Sequence, residues 1–351
     1  MKTQLFALCV VAGAAFAAAP GRTEDSLSFA PKAGLELRKE FVENSQWRLT
    51  EFETFVDGSP VAGPIPTMDG EATRKLIVLD RYAELIGGRP KTLARTFEEL
   101  AGEHAFDFDV QGLSDSIQLR LSSPLVSTKV EFTRAEDGEA SKAAFAGEGG
   151  DAALLAGLVE DLDLRAFLPD EDMGVEDNWE IESERLARVL APGGALHLQP
   201  DAGGVPASDA LDPLEIVSAA LFALSESAAE PEGEVTVEWT ETQQIDGRSV
   251  AVLEIDWDSR SKGVLAERAA EMLAAAGATT ERTDVVANVL LTCEGEGKLL
   301  WDLAAHHAHS FELDLRTSFD SEIGWSQSGQ RAGYKFKLTG ESKLRASFTK
   351  P

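Results

Sequence analysis

The segment that organises this chain is residues 164–194, which read LRAFLPDEDMGVEDNWEIESERLARVLAPGG. Leu168 and Pro169 stop the element before them, because proline cannot continue a helix. Gly174 provides a turn, and Trp179 is expected to be anchored in the core. We therefore interpret Leu168, Pro169, Gly174 and Trp179 as a structural clasp, which closes the first half of the chain and leads into the second.

Helices are predicted within the clasp and on both sides of it. Inside it, Ser183 can cap a short helix through Leu190, and Gly193 can close that helix. Before it, Asp151 can cap a helix whose apolar face would lie on a sheet. That face is formed by Leu154, Leu155, Leu158, Val159 and Leu162. After it, helices are predicted over residues 214–224 and 264–276.

Strands are predicted throughout the rest of the chain, from period-2 alternation of apolar and polar residues. Leu35, Leu37 and Lys39 are predicted to point to one side of a strand that ends in a turn at Asn44-Ser45. The stretch 93–97 fits a strand or a helix, and the Gly87-Gly88 turn before it favours a strand. Asp246-Gly247 is a strong hairpin signal in the second half.

These elements predict an α+β fold with two β-rich halves of mostly antiparallel strands, each with a packed helix. The predicted division is a signal peptide at 1–17, an N-terminal domain at 18–194, a bridge with a short helix at 195–233 and a C-terminal domain at 234–351. Whether the two halves share one sheet is left open by the sequence.

The first residues indicate export. Lys2 precedes an apolar run, and Ala15-Phe16-Ala17 is a suitable cleavage site for a secretory signal peptide. Removal of residues 1–17 also removes Cys9 and leaves Cys293 as the single cysteine, so a disulfide within the mature chain is excluded. We expect a periplasmic or extracellular protein in which Cys293 is a small buried residue.

The charge excludes some partners. The chain has 61 acidic residues against 32 lysines and arginines, a formal net charge of -29. Such a surface repels phosphate backbones, so nucleic acid is not an expected partner. No stretch after the signal peptide is apolar enough to predict a transmembrane segment.

Three groups of residues resemble uncharacterised secreted bacterial proteins of the planctomycete type. They are Asp80-x-Tyr82 with Gly88-Arg89-Pro90, the clasp residues with Ala191-Pro192-Gly193-Gly194, and residues 295–302 (GEGKLLWD). The resemblance implies no activity, ligand or catalytic residue. The paired β-rich halves also resemble, in shape, the half-barrels of lipoprotein carriers, and fold analogy does not establish function.

The most specific candidate for chemistry is the cluster of histidines at 306, 307 and 309. On a strand, His307 and His309 would share a face and could hold a metal ion together with Glu312 or Asp302. The alternative is a polar hairpin tip. No catalytic motif is present, so neither catalytic residues nor a cofactor is predicted.

The leading hypothesis is an exported, non-enzymatic protein that binds an apolar ligand or a protein partner on a curved sheet. It predicts an apolar cavity lined by residues such as Leu154, Leu158 and Val264. A structural component of the cell envelope and a hydrolase without a recognisable motif are the alternatives.

Overall fold

The computed structural model describes residues 26–63, 65–86, 89–110, 113–134, 141–147, 149–181, 183–200, 232–264, 282–327 and 329–351. Within these residues the structure consists mainly of strands. They are β1 (Glu36–Val56), β2 (Ser59–Val61), β3 (Thr67–Ile86), β4 (Arg89–Val110), β5 (Leu113–Ser122), β6 (Lys129–Arg134), β7 (Ser141–Phe145), β8 (Asn178–Glu180), β9 (Gln199–Pro200), β10 (Glu232–Ile245), β11 (Arg248–Val264), β12 (Arg282–Asp302), β13 (His307–Gln327) and β14 (Gln330–Thr349).

These strands form one antiparallel sheet. Its order is β7-β6-β4-β3-β1-β14-β13-β12-β11-β10-β8, with β2 beside β1, and with β5 between β4 and β9. The first long strand, β1, pairs with the last, β14, from Arg38 opposite Thr349 to Val56 opposite Ala332. The strands before and after the clasp therefore share one sheet, which answers the question that the sequence leaves open.

The predicted α+β class is wrong, because the described chain is almost entirely β and has no helix packed on each half. The described helical elements are two 3-10 turns, Ala152–Leu155 and Arg165–Phe167, and the helix α1 (Ser183–Leu190). The bounds of α1 confirm the helix predicted there. The helix predicted over 214–224 lies outside the described residues. The helix predicted over 264–276 starts at Val264, which is the last residue of β11. The other residues of that predicted helix lie outside the described residues.

The helix predicted after Asp151 is also wrong beyond its first turn. The Asp151 carboxylate does accept from the backbone N–H of Ala153. The chain then leaves the helix because its backbone pairs elsewhere: Leu158 forms a β-bridge with Gly194. The acids that follow turn towards buried cations of the sheet. Leucines at helical spacing therefore do not outweigh these long-range contacts.

The turn predicted at Asn44-Ser45 is absent, since β1 runs straight through both residues. Both are paired on either side, Asn44 with Thr73 and with Lys343. By contrast, the hairpin at Asp246-Gly247 is confirmed. These two residues join β10 to β11 with φ angles of 50° and 75°, the left-handed pair that a tight two-residue hairpin requires.

The two faces of the sheet differ strongly. The face to which Leu37, Lys39 and Phe41 point is called the inner face. The end of the sheet where β1 begins and β14 ends is called the upper end. The covering segment, residues 149–181 and 183–200, crosses the upper inner face. Its first turn lies beside β7, and β8 pairs with β10 at the opposite edge. Its core residues share one apolar cluster with the upper inner face: Leu162, Leu164, Ala166, Phe167, Leu168, Trp179, Ile181, Val189 and Leu196.

Candidate binding surface

A buried ion network joins the upper inner face to the covering segment. Lys39 is fully buried, and its ammonium nitrogen lies 2.8 Å from an oxygen of Asp80 on β3 and 2.7 Å from one of Asp163 in the covering segment. The hydroxyl of Tyr82 donates to the same Asp163 oxygen. A buried charge is costly without a partner, so Lys39 and Asp163 hold the two layers together.

Arg95 on β4 completes this contact. Two of its nitrogens each lie 2.8 Å from an oxygen of Asp80. Its guanidinium also donates to the carbonyls of Val159, at 2.8 Å, and Glu160, at 2.7 Å. Burial acts to raise the pKa of Asp80, but the charges of Arg95 and Lys39 outweigh it and hold that pKa below its usual value.

The network is electrically balanced. Glu160 lies 3.0 Å from both Arg134 and Arg165, and Arg165 lies 3.0 Å from Asp161. The set therefore pairs four cations with four carboxylates: Lys39, Arg95, Arg134 and Arg165 with Asp80, Glu160, Asp161 and Asp163. These groups are almost entirely sealed from solvent, so the network is suited to fixing a segment and is poorly placed to act on a substrate.

The structure places the clasp residues in or beside this layer. Leu168 and Trp179 are buried, and the indole of Trp179 donates to the carbonyl of Phe167 at 3.1 Å. Pro169 follows the second 3-10 turn. The backbone N–H of Gly174 donates to the Asp177 carboxylate at 2.8 Å, in an exposed loop.

The predicted histidine pair lies at the start of β13, just after the turn from β12. His307 is buried, with its Nδ1 2.7 Å from the carbonyl of Ala308. Burial lowers the pKa of His307. His309 is half-buried. In the described part of the chain, no group of three or more His, Cys, Asp or Glu side chains could hold a metal ion.

A second apolar cluster occupies the lower end of the inner face. Phe336 and Leu338 of β14 alternate in the same phase as Leu344 and Ala346 of the upper cluster, so both clusters lie on one face. The buried members of the lower cluster are Met68, Phe106, Val289, Phe319, Ile323, Trp325, Phe336 and Leu338. Partly exposed rings adjoin them: Trp47, Phe52, Phe108 and Tyr334.

Two polar atoms in this lower region have no hydrogen-bond partner among the described residues. One is Oγ of Ser321, a residue that is only 6% exposed and is flanked across the strands by Phe336 and Val289. The other is Nε1 of Trp47, which lies against Gly70. An unpaired buried donor costs about 1–3 kcal/mol, so both positions call for a bonding partner.

A polar belt separates the two clusters. Glu43 and Arg74 form an ion pair at 2.7 Å, and Arg74 also donates to the carbonyl of Leu190 in α1 at 3.3 Å. His104 lies nearby, with its ring 6.3 Å from that of Trp47. Burial lowers the pKa of His104. The belt therefore marks the lower limit of the covering segment.

Neither Leu154 nor Leu158, beside which an apolar cavity is predicted, lines the cavities of about 960, 720 and 500 Å³ formed by described residues. Leu154 and Leu158 are half-buried against the upper cluster, and nothing is described of the Val264 side chain. A cavity of about 960 Å³ lies mainly between two rows of outer-face side chains, and its lining also includes Phe52, Val289, Ser321 and Phe336. Those rows are mostly charged and include Lys335, Lys337, Asp320 and Glu322, so this groove is not apolar.

No protein-family model and no curated protein matches the sequence. Among solved structures, the chain is similar to one titled for lipid–protein interactions in lipovitellin, with 7% identity, a TM-score of 0.30, and coverage of 91% of this chain and 25% of that chain. It is also similar to the outer membrane protein OprG of Pseudomonas aeruginosa, with 7% identity, a TM-score of 0.19, and coverage of 91% and 98%. This chain therefore spans about a quarter of the lipovitellin chain, and TM-scores below 0.5 do not establish a shared fold.

Sequence reasoning missed both the ion network and the two unpaired atoms. A signal for the network was present at Lys39, whose position in the strand alternation places a cation on the apolar side. Cys293 is buried as expected, and burial raises the pKa of its thiol to about 12. No helix of the described residues has the length and apolar character needed to cross a membrane.

Proposed function

We propose that this protein is exported and works by binding, with an apolar ligand held on the lower inner face. The signal-peptide pattern of residues 1–17 supports export. The balanced and buried charges of the upper end support a structural task for that end, which leaves the lower end as the binding region.

The observation that carries the proposal is the unpaired hydroxyl of Ser321. It lies in a row with Phe52, Phe336 and Val289, where an apolar side chain would pack without cost. A hydroxyl at such a position is satisfied when a molecule with a polar group lies against it.

Unpaired polar atoms also occur at the upper end, on Asp163, Arg165 (Nη1), Trp301, His307 and His309. Asp163 and Arg165 belong to the ion network, and the covering segment crosses this end of the face. The lower cluster differs because Trp47, Phe52 and Tyr334 leave part of its rim open to solvent. The rim provides an entrance, and apolar area removed from water there stabilises a bound ligand by roughly 25 cal/mol per Å².

The test is a titration of the purified full-length mature protein, after delipidation, with hexadecanoic acid. We expect saturable binding in calorimetry, with a negative heat-capacity change from burial of apolar surface. The variant Phe52→Lys, which places a charge on the partly exposed rim, is expected to lose at least tenfold in affinity. Glu53→Lys, on the outer face of the same strand, serves as the matched control and is expected to bind normally.

The proposal fails if the wild-type protein does not bind hexadecanoic acid saturably. It also fails if Phe52→Lys, shown to be folded by circular dichroism, binds as well as Glu53→Lys. Native mass spectrometry of the protein from its own envelope provides a second measurement, in which a co-purified apolar molecule is expected.

A further inference from the structure

We infer that the ligand carries two oxygen functions, one at each end of an apolar chain. This inference rests on the proposed function and specifies the chemistry of its ligand. It starts from the fact that the two unpaired atoms of the lower region, Nε1 of Trp47 and Oγ of Ser321, lie far apart on the same face.

The separation follows from the strand register. Trp47 on β1 is opposite Gly340 on β14, which is opposite Thr317 on β13. Ser321 is four residues further along β13. With a rise of about 3.3 Å per residue and strands about 4.8 Å apart, and with the indole lying over β3, the two polar atoms are roughly 15–20 Å apart along the sheet. One functional group cannot reach both.

The chemistry of each end is set by the residue there. The indole of Trp47 only donates, so its partner must be an acceptor such as a carboxylate or carbonyl oxygen. Its ring lies 6.3 Å from that of His104, and Arg74 lies two inner-face rows away, where it is paired with Glu43. Trp47 is only partly buried, so a carboxylate that accepts from its indole at this end stays in contact with water.

The Ser321 end requires a different group. A serine hydroxyl both donates and accepts, and its neighbours on the inner face are apolar: Phe319, Ile323, Phe336 and Val289. A charged group there would be buried without a counter-ion, which is unfavourable. A neutral hydroxyl satisfies Ser321 without that cost. The ligand class is therefore an ω-hydroxy fatty acid, and an extended hexadecyl chain has the required length.

The side chains between the two ends are suited to contact with methylene groups. Leu49, Phe52 and Tyr334 lie on the inner face between or beside the two polar positions and are half-buried. These side chains can contact an alkyl chain but cannot bond a polar group along it, apart from the Tyr334 hydroxyl. The surface therefore selects oxygen at the ends of the chain rather than along its middle.

The experiment compares two acids that differ in one atom, hexadecanoic acid and its ω-hydroxy derivative. We expect the wild-type protein to prefer the hydroxy acid by about three- to tenfold, the range of one additional hydrogen bond. Ser321→Ala is expected to remove this preference while it retains binding of hexadecanoic acid. Trp47→Phe should weaken both acids equally. Ser318→Ala, on the outer face of the same strand, is the matched control.

The outcomes separate the inference from the function on which it rests. Failure of both acids to bind overturns the proposed function. Equal binding of both acids, with no change of their ratio in Ser321→Ala, overturns the inference and leaves the proposed function standing. Since Ser321→Ala removes only an unpaired hydroxyl, it is expected to fold, and thermal unfolding of the variant without ligand checks this directly.

Discussion

The upper and lower ends of the inner face are built from the same strands and the same alternation, yet they differ in what satisfies their polar groups. At the upper end, Lys39, Asp80 and Arg95 are fully buried and are paired with one another and with the covering segment. At the lower end, Ser321 and Trp47 keep unpaired atoms beside half-buried rings. The comparison teaches that one sheet face can be covered by a segment of the same chain in one region and keep a partly exposed rim in another.

The largest effect is expected from removing the central cation of the upper end. Lys39→Met leaves Asp163 without its ammonium partner, and breaking a buried pair costs about 3–5 kcal/mol. We expect this loss in the free energy of unfolding measured by urea denaturation. The control is Lys75→Met, a half-exposed lysine 3.0 Å from Glu99, whose loss should cost under about 1 kcal/mol. Similar values for the two variants would show that the upper network does not fix the covering segment.

A smaller effect is expected from overpacking the boundary of the lower region. A Cβ on Gly70 would overlap the indole nitrogen of Trp47. Gly70→Ala should therefore displace the ring and destabilise the fold by about 1–3 kcal/mol. The same variant should weaken ligand binding, as measured by calorimetry. Gly63→Ala, where a Cβ would meet nothing closer than 4.0 Å, is the control; equal stability of both variants would refute the placement of Trp47.

The pH dependence of the free energy of unfolding should reflect the protonation of His307, at the upper end. Burial holds the pKa of His307 below its usual value of 6.5, against the opposing effects of the Ala308 carbonyl, Asp302 and Asp163, while Lys39 lowers it further. The unfolded chain then binds a proton that the folded chain resists. The contribution is therefore fully present above about pH 6.5 and is lost as the pH falls, by up to about 1.4 kcal/mol per pH unit.

Urea denaturation between pH 7.5 and pH 5 measures this dependence. His307→Asn, which keeps a donor for the Ala308 carbonyl, is expected to reduce the slope, and the remaining slope is expected from His104, whose pKa burial also lowers. The buried carboxylates contribute in a separate range. The neighbouring cations hold the pKa values of Asp80 and Asp161 below the usual value of 3.8, so the stabilisation by these carboxylates is lost only at lower pH. A variant curve as steep as the wild type would contradict the role given to His307.

The smallest effect on folding is expected at the residue most important for the ligand. Ser321→Ala removes an unpaired buried hydroxyl, so the stability of the ligand-free protein should be unchanged or increase by about 1 kcal/mol. Differential scanning calorimetry checks this. A clear loss of stability would show that Ser321 has a structural partner, and the contrast between the two ends would then disappear.

The local parts of this fold could be predicted from the sequence, and the long-range parts could not. The alternation around Leu37, the hairpin at Asp246-Gly247 and the helix Ser183–Leu190 each depend on neighbouring residues, and the structure agrees with them. The chain after Asp151 was predicted as a helix because its leucines have helical spacing. Its true path depends on partners far away in sequence, such as Gly194 and Lys39.

The candidate site shows the same division. The apolar character of the lower strands can be read from the sequence, since inward positions alternate. The unpaired state of Ser321 cannot, because it depends on Phe336 and Val289, which register with it from two other strands. The alternation places Ser321 on the same side as Phe319 and Ile323, but the sequence does not indicate whether its hydroxyl has a partner there.

The pairing of β1 with β14 has a consequence for the order of assembly. These strands lie side by side in the middle of the sheet, although nearly the whole chain separates them in sequence. Contacts between distant residues form slowly, because a long loop must be closed first. The hairpins on each side can form as the chain emerges, but the sheet becomes continuous only when the final strand arrives. The sheet therefore stays in two parts until the twenty residues of β14 are paired on both sides.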